Sequence, residues 1–474
     1  MDTQRYTLFL IAPGMDSEER NRAFGVKLPL LGYPAISLAM IAALTPDNFH
    51  VRLIDVANEP VPYGEHCDLA LIVAQTHHIP GAYLIADRLR AEGAKVLLGG
   101  MHVTALPDEA LEHGDAVIIG EGESVWGKIL DDFARGTLKR KYYGPEVDLA
   151  TLPPIRRDLL NKKFYHPGEI IETTRGCHVG CHFCAVQDFF GTKVRVRPPE
   201  AVRQELMDIF GPRPPQTKWK QWLARNWHPD IPYFVERRLL YVMDSNFFAS
   251  GPAHARAVLE VFKDCDIRWY GHASLNVTRD ESMLDLMKES GCIGVNIGFE
   301  SLSQTTIDTM HKFSNRTDEY VDCIKALHDR EIGVMGTFMV GFDEDTPDVF
   351  DEIVDFVNEN RLENGFALIL TPLPGTKIFQ QMDSQNRIFK RNWRDYDQGT
   401  VTFYPKNMTP RQLHLGMRNT FKRIYSWRSI WHRILKKPRV RSFFYLPVNM
   451  GFRRCTRLIC SEKLWPVPEV LDSE

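Results

Sequence analysis

The chain has 474 residues, with 58 Lys and Arg against 61 Asp and Glu and a formal net charge of −3. This length predicts two or three domains with sizeable cores, and the charge and 44% apolar content are those of an ordinary soluble protein. No apolar run is long enough to span a bilayer, and the nine cysteines, odd in number and mostly scattered, argue for a reducing compartment over a disulfide framework.

Met1 to Arg5 leads into a short apolar run without the basic region or cleavage site of a signal peptide, so a cytoplasmic location is expected. Short apolar runs follow at Tyr6–Ala12, Val51–Val56, Leu69–Ala74, Lys95–Leu98 and Ala116–Ile119. Helical patterns lie between them at Ala35–Leu44, Gly81–Glu92 and Ser124–Ala134. Buried strands alternating with helices predict an α/β, doubly wound, Rossmann-like parallel sheet over residues 1–145. Ligands of such sheets bind beyond the strand C-termini. The loops there are 13–16, 57–59, 75–80, Gly99-Gly100-Met101-His102 and Gly120-Glu121-Gly122-Glu123. No Gly-x-Gly-x-x-Gly opens a helix after the first strand, which weakens a dinucleotide reading. His77 and His78 read as ordinary loop histidines.

Lys139 to Pro154 is basic, then proline-rich and without periodicity, and reads as a linker, with the boundary segment drawn at 146–164. Glu169–Thr174 is the first strand of a second domain, expected over 165–380. Its end carries Cys177-x3-Cys181-x2-Cys184. Three thiolates can hold three corners of a [4Fe–4S] cube and leave the fourth iron open. A zinc knuckle using His178 and His182 is the rival, but no second Cys-x-x-Cys follows at finger spacing. Five more βα units follow, with strands at 239–243, 267–273, 294–301, 333–340 and 365–370. Catalytic loops leave the C-terminal ends of such strands. Asp244, Asn246, Glu300 and Gly341 stand at these tips and are the candidate cofactor contacts. Asp345, shortly before Pro347, reads as a helix N-cap.

Gly211 to Arg238 is rich in Pro, Trp and basic residues and reads as a surface loop or a flap over substrate. Residues 381–474 form a mainly helical extension. From Pro410 to Cys460 it contains no Asp or Glu, and Arg and Lys alternate with Tyr425, Trp427, Trp431, Phe443, Phe444 and Tyr445. Such a face fits an anionic membrane surface ahead of nucleic acid, or a cap whose charges pair elsewhere.

The cysteine loop resembles that of the radical S-adenosylmethionine (SAM) superfamily, and the barrel pattern is similar to its partial (β/α)6 barrel. The resemblance implies a [4Fe–4S] cluster on Cys177, Cys181 and Cys184, with SAM chelating the open iron and Phe183 near its adenine. It implies that Asp244 and Asn246 meet the SAM amino group and that Glu300 meets ribose or substrate. The Thr337–Glu344 stretch resembles the adenine-contacting fifth-strand motif, although Thr337 and Met339 replace its usual Gly and Ile. The loops with Leu31-Gly32-Tyr33-Pro34, Gly99, Gly100, His102, Gly120 and Glu121, together with Pro405-Lys406-Asn407-Met408, resemble B12-binding-domain radical SAM proteins. Cobalamin is therefore expected. The Asp-x-His-x-x-Gly sequence that supplies a histidine to cobalt in B12 mutases is absent.

The leading expectation is radical C-methylation of an unactivated carbon. One SAM would methylate cob(I)alamin, and a second would give the 5′-deoxyadenosyl radical that removes hydrogen from substrate. Radical cyclisation, rearrangement or hydroxylation of a lipid-like or tetrapyrrole substrate is the alternative. A cobalamin or redox sensor without turnover is the alternative of another class. An electron donor such as flavodoxin or ferredoxin is implied.

Overall fold

The computed structural model describes residues 5–14, 33–161, 168–213, 215, 217–227, 229–436 and 442–459. Leu31, Gly32, residues 15–16, residues 162–164 and His228 lie outside the described residues. The chain forms two compact units. One is Met1–Tyr165 with His182–Gly191 and Thr371–Thr402; the other is His166–Cys181 with Thr192–Leu370 and Phe403–Glu474. This differs from the expected division. Residues 371–402 belong to the first unit, and the extension proper begins at Phe403. The cysteine loop is shared out, with Cys177 and Cys181 in the second unit and Cys184 in the first.

In the first unit the strands are β1 (Tyr6–Ala12), β2 (Phe49–Asp55), β3 (Leu69–Val73), β4 (Lys95–Gly99), β5 (Ala116–Gly120) and β6 (Lys141–Gly144). They pair in parallel in the order β2-β1-β3-β4-β5-β6. Both faces are covered, which is why these strands read as unbroken apolar runs. Phe9, Ile11, Ile72, Val96 and Leu98 pack on one face; Leu8, Leu10, Leu71, Leu97 and Ile118 pack on the other. β6 was expected as linker. Its basic flanks hide a strand whose Tyr142 is buried and donates its hydroxyl to Asp132 at 3.0 Å. The strand order reverses between β1 and β3, so the loops beyond their C-termini surround a switch point.

In the second unit β7 (Glu169–Ile171) leads to β8 (Thr174–Arg175), which pairs antiparallel with β9 (Arg195–Val196). Next come β10 (Leu239–Val242), β11 (Arg268–Ala273), β12 (Cys292–Glu300), β13 (Gly333–Val340) and β14 (Asn364–Ile369). The order β14-β13-β12-β11-β10-β7 is all parallel and gives the partial barrel. Alternate residues of these strands face the outer helices. Phe299 and Phe338 stack at 5.6 Å and meet Phe356 of the helix Val349–Glu359. The intervening residues form the inner face.

The extension closes the end of the barrel where strands begin. The Tyr445 hydroxyl donates to Ile293 O at 3.0 Å. Arg433, fully buried, donates to the carbonyls of Leu362, Glu363 and Ile424 and to Asn449 Oδ1, and burial pulls its pKa down to about 10. Arg423 pairs with Asp351. The expected basic face is thus partly consumed inside the fold. The helix Pro410–Ile424 covers the β14 edge and opens on a capping box between Thr409 and Gln412.

The segment 211–238 connects the end of helix Pro199–Phe210 to the start of β10. It therefore lies at the strand-start end, where Arg238 donates to Gly211 O and Cys265 O and Arg268 bonds Asp230. These bonds favour the surface-loop reading of this segment.

Candidate active site

The cysteine loop is held at its base. β8 pairs with β9, Arg197 N donates to Thr173 O at 2.9 Å, and Arg175 forks onto Glu172 at 2.9 and 3.0 Å. Gly176 and Gly180 take φ of +91° and +85°, so glycine is needed beside Cys177 and Cys181 for the turns. Cys177, Cys181 and Cys184 are half-buried, whereas Cys67, Cys265, Cys292, Cys323 and Cys455 are buried. Burial pushes the Cys67 and Cys323 thiols up to about 12, the state of inert packing cysteines. The loop cysteines are the accessible soft donors among the described residues, which fits a cluster. Among those residues no three His, Cys, Asp or Glu side chains converge as a single metal ion would require.

At the tip of β10, Asp244 is buried, and its carboxylate accepts from Thr173 N at 2.7 Å, Thr174 N at 3.1 Å and the Thr173 hydroxyl. Burial pushes its pKa up although those hydrogen bonds pull it back. Asp244 therefore anchors the chain just before the cysteine loop, a task the sequence did not suggest. Asn246, 9% exposed, has a buried Oδ1 with no partner. A desolvated acceptor at this tip suits the ammonium of SAM. Glu300 sits at a bulge in the β12–β13 register with φ +64°, a strained conformation for a non-glycine residue. Lys312 clamps it and also donates to Gly298 O at 2.9 Å. Gly341 has φ +104°, and a β-carbon there would come within 2.9 Å of Leu413. Its N–H donates to Asp345 at 2.8 Å. Asp345 staples this turn rather than capping a helix, and burial raises its pKa to about 6. Phe183 is half-buried, one residue after His182, whose carbonyl accepts from Ile378 N at 3.1 Å.

The sequence reading missed a polar ladder on the inner barrel face. His272 Nε2 lies 2.7 Å from the Tyr241 hydroxyl, and His272 Nδ1 lies 3.4 Å from Asn296 Nδ2. The Thr337 hydroxyl donates to Asn296 Oδ1 at 2.9 Å. Polar residues at alternate positions of otherwise apolar strands were the available signal.

In the first unit, Gly100 takes φ +105°, and a β-carbon there would come within 2.7 Å of Ala74 O. Gly120, at φ +86°, lies against Gly144 O, whereas Gly99 makes ordinary contacts. Glu121 is buried and accepts from Val147 N at 3.3 Å. His102 is not an open loop residue. It starts a short helix, Met101–Ala105, and is buried, with Nε2 3.3 Å from Glu109 and its ring edge-on to Trp393. Glu109 also accepts from Tyr83 and Trp393, each at 2.9 Å. Burial raises its pKa, but these donors outweigh burial and hold it below its ordinary value. His102 Nδ1 and Asn58 Oδ1, beyond the C-termini of β4 and β2, are buried without partners. Such desolvated polar atoms at the ligand end of the sheet fit a polar, amide-rich cofactor such as cobalamin.

Fold and site define an iron–sulfur radical enzyme with a corrinoid-binding type of domain. Comparison with known proteins agrees. The B12 binding domain model matches residues 30–130 and the radical SAM superfamily model matches residues 227–357. The bacteriochlorophyllide d C-12(1)-methyltransferase of Chlorobaculum tepidum is 31% identical over 434 residues, covering 90% of each chain. The C-8(2)-methyltransferase of the same organism is 26% identical, covering 88% of this chain and 91% of that one. Among solved structures, the cobalamin-dependent SAM radical enzyme OxsB has a TM-score of 0.67 at 14% identity, covering 96% of this chain and 72% of that one. TsrM from Kitasatospora setae has a TM-score of 0.60 at 15% identity, covering 80% and 78%. These two establish the likeness of fold. The chain belongs to the cobalamin-dependent radical SAM methyltransferase family, whose cofactors are a [4Fe–4S] cluster, SAM and cobalamin. No helix among the described residues is long and apolar enough to cross a membrane.

Proposed function

We propose that the protein methylates an unactivated carbon on the periphery of a bacteriochlorophyllide-like tetrapyrrole. The observation that carries this reading is the end-to-end 31% identity to a bacteriochlorophyllide d methyltransferase. The half-buried Met339 and Leu368 on the inner barrel face support it, because such residues suit a large apolar ligand. When bound, the cluster and SAM supply a hydrogen-abstracting radical, and cobalamin supplies the methyl group.

The chain's own residues do the holding. Cys177, Cys181 and Cys184 ligate the cluster, and Asp244 fixes the strand that feeds their loop. Asn246 Oδ1 would accept from the SAM ammonium, and Glu300 stands at a strand tip for ribose or substrate. Phe183 and Gly341 are each candidate adenine contacts. Gly99, Gly100, His102, Gly120 and Glu121 frame the cobalamin end of the first unit. Tyr445 packs into the strand-start end of the barrel against Gly294 and Gly333.

This reading includes a cytoplasmic location and a flavodoxin- or ferredoxin-class donor, since each SAM cleavage consumes one electron. It also includes peripheral contact with an anionic membrane surface. Trp427 and Trp431 are 50% and 58% exposed, near the exposed Arg428 and Lys436, and this supports membrane contact over nucleic acid. The test is anaerobic reconstitution with iron, sulfide and hydroxocobalamin, then turnover of bacteriochlorophyllide d with SAM and a reductant. A product heavier by one CH2 is expected. Cleavage of SAM with a product that has lost hydrogen or gained oxygen would transfer the protein to the cyclase or hydroxylase reading. No SAM cleavage at all would favour a sensor.

A further inference from the structure

We propose that the ladder Tyr241–His272–Asn296–Thr337 orients the substrate, by donating a hydrogen bond to one uncharged oxygen on an otherwise apolar, planar molecule. The proposal rests on the tetrapyrrole reading and deepens it by naming the group that is read. The four residues lie on four adjacent strands. The register pairs Tyr241 with Tyr270 and His272 with Asn296, and sets Thr337 beside Gly298, all on the face turned away from the helices. This layer lies above Gly294, where the Tyr445 phenol closes the barrel, and below Glu300 at the tip. His272, Asn296 and Thr337 are partly buried there, whereas the outward residues Val295, Ile297 and Phe338 are fully buried. The backbone ladder needs none of these side chains.

The hydrogen count then identifies the chemistry. The Thr337 hydroxyl donates to Asn296 Oδ1, so Asn296 Nδ2 faces His272 Nδ1. Nδ1 accepts, Nε2 carries the ring proton, and the Tyr241 oxygen receives it. Turning the Asn296 amide over reverses the direction of the chain. In either orientation one amide hydrogen of Asn296 is spent within the ladder and the second remains to be donated. Burial lowers the His272 pKa, so the ring is neutral. A neutral imidazole, amide and hydroxyl suit a carbonyl, whereas a carboxylate would call for Arg or Lys. The ladder is a positioning device and takes no part in the radical step.

The test uses the full chain with its cluster reconstituted and follows quenching of chlorin fluorescence. Two probes are titrated, bacteriochlorophyllide d and its analogue lacking the ring ketone. Wild type should bind the ketone about tenfold tighter. Asn296→Leu, close in shape, should abolish that preference by weakening the ketone probe alone. His272→Phe should shrink it, because the amide is no longer held. Should Asn296→Leu lose its iron, Thr337→Val takes its place and should also reduce the preference. An undiminished preference in the variants, equal weakening of both probes, or equal binding of both by wild type overturns the ladder's role and leaves the tetrapyrrole reading standing. Wild type binding neither probe overturns both.

Discussion

Tyr445 and Gly294 share one space: the phenol oxygen stands where a β-carbon on Gly294 would project, and the same ring crowds Gly333. The glycines at the start of β12 and β13 are thus the socket for the C-terminal extension. Gly294→Ala should cost about 1–3 kcal/mol through overpacking. Tyr445→Ala should cost about 3–5 kcal/mol through the cavity it leaves. The double variant should be less damaged than the sum, because the added methyl fills part of the vacated space. Thermal unfolding of the four proteins checks this.

Asp244 and Asn246 are two residues apart and have different tasks. Asp244→Ala leaves the Thr173 and Thr174 donors unpaired, so reconstituted iron should fall. Asn246→Ala should keep its iron and raise the dissociation constant of SAM about tenfold. Iron analysis and SAM binding on both variants separate the two roles. An Asp244 variant with full iron would remove it as the loop's anchor.

Much of this fold was legible in the chain. Leu8 to Ile11 could be read as a buried strand because both faces of β1 are covered, and each βα unit of the barrel appeared within a few residues of its bounds. What failed was contact across sequence distance. The anchoring bond of Asp244 was missed because its partner Thr173 lies 71 positions away. His272, Asn296 and Thr337 meet only through strand register. β6 was lost because four residues between basic flanks carry no periodicity, and Glu109 because its donors come from three separate segments.

The paired histidines after β3 predict an acid-sensitive first unit. Their rings lie 3.8 Å apart, and burial lowers both pKa values, with His78 pulled down to about 4. The unfolded chain binds that proton near pH 6.5, so stability is full above 6.5 and falls as pH drops toward 4. Asp345, raised to about 6, acts oppositely, contributing more as pH falls from 6 toward 4. His78→Gln should therefore be compared with wild type at each pH. The melting-temperature gap should shift in favour of the variant between pH 6.5 and 4, and a constant gap would contradict the buried neutral state.

Glu109 collects three donors, Tyr83, His102 and Trp393. Glu109→Leu should destabilise the first unit by about 2–4 kcal/mol, because these groups lose a charged acceptor. With His102 released, bound cobalt per chain should also fall, while iron stays at the wild-type level. Metal analysis of the reconstituted variant reads both.

The most direct test of the central claim is the fate of SAM during turnover. Reconstituted protein, bacteriochlorophyllide d, reductant and SAM carrying a deuterated methyl group are incubated without oxygen, and the nucleoside products are counted. One S-adenosylhomocysteine and one 5′-deoxyadenosine are expected per product, with the deuterated methyl on carbon. Deoxyadenosine without S-adenosylhomocysteine, and a product without label, would contradict it.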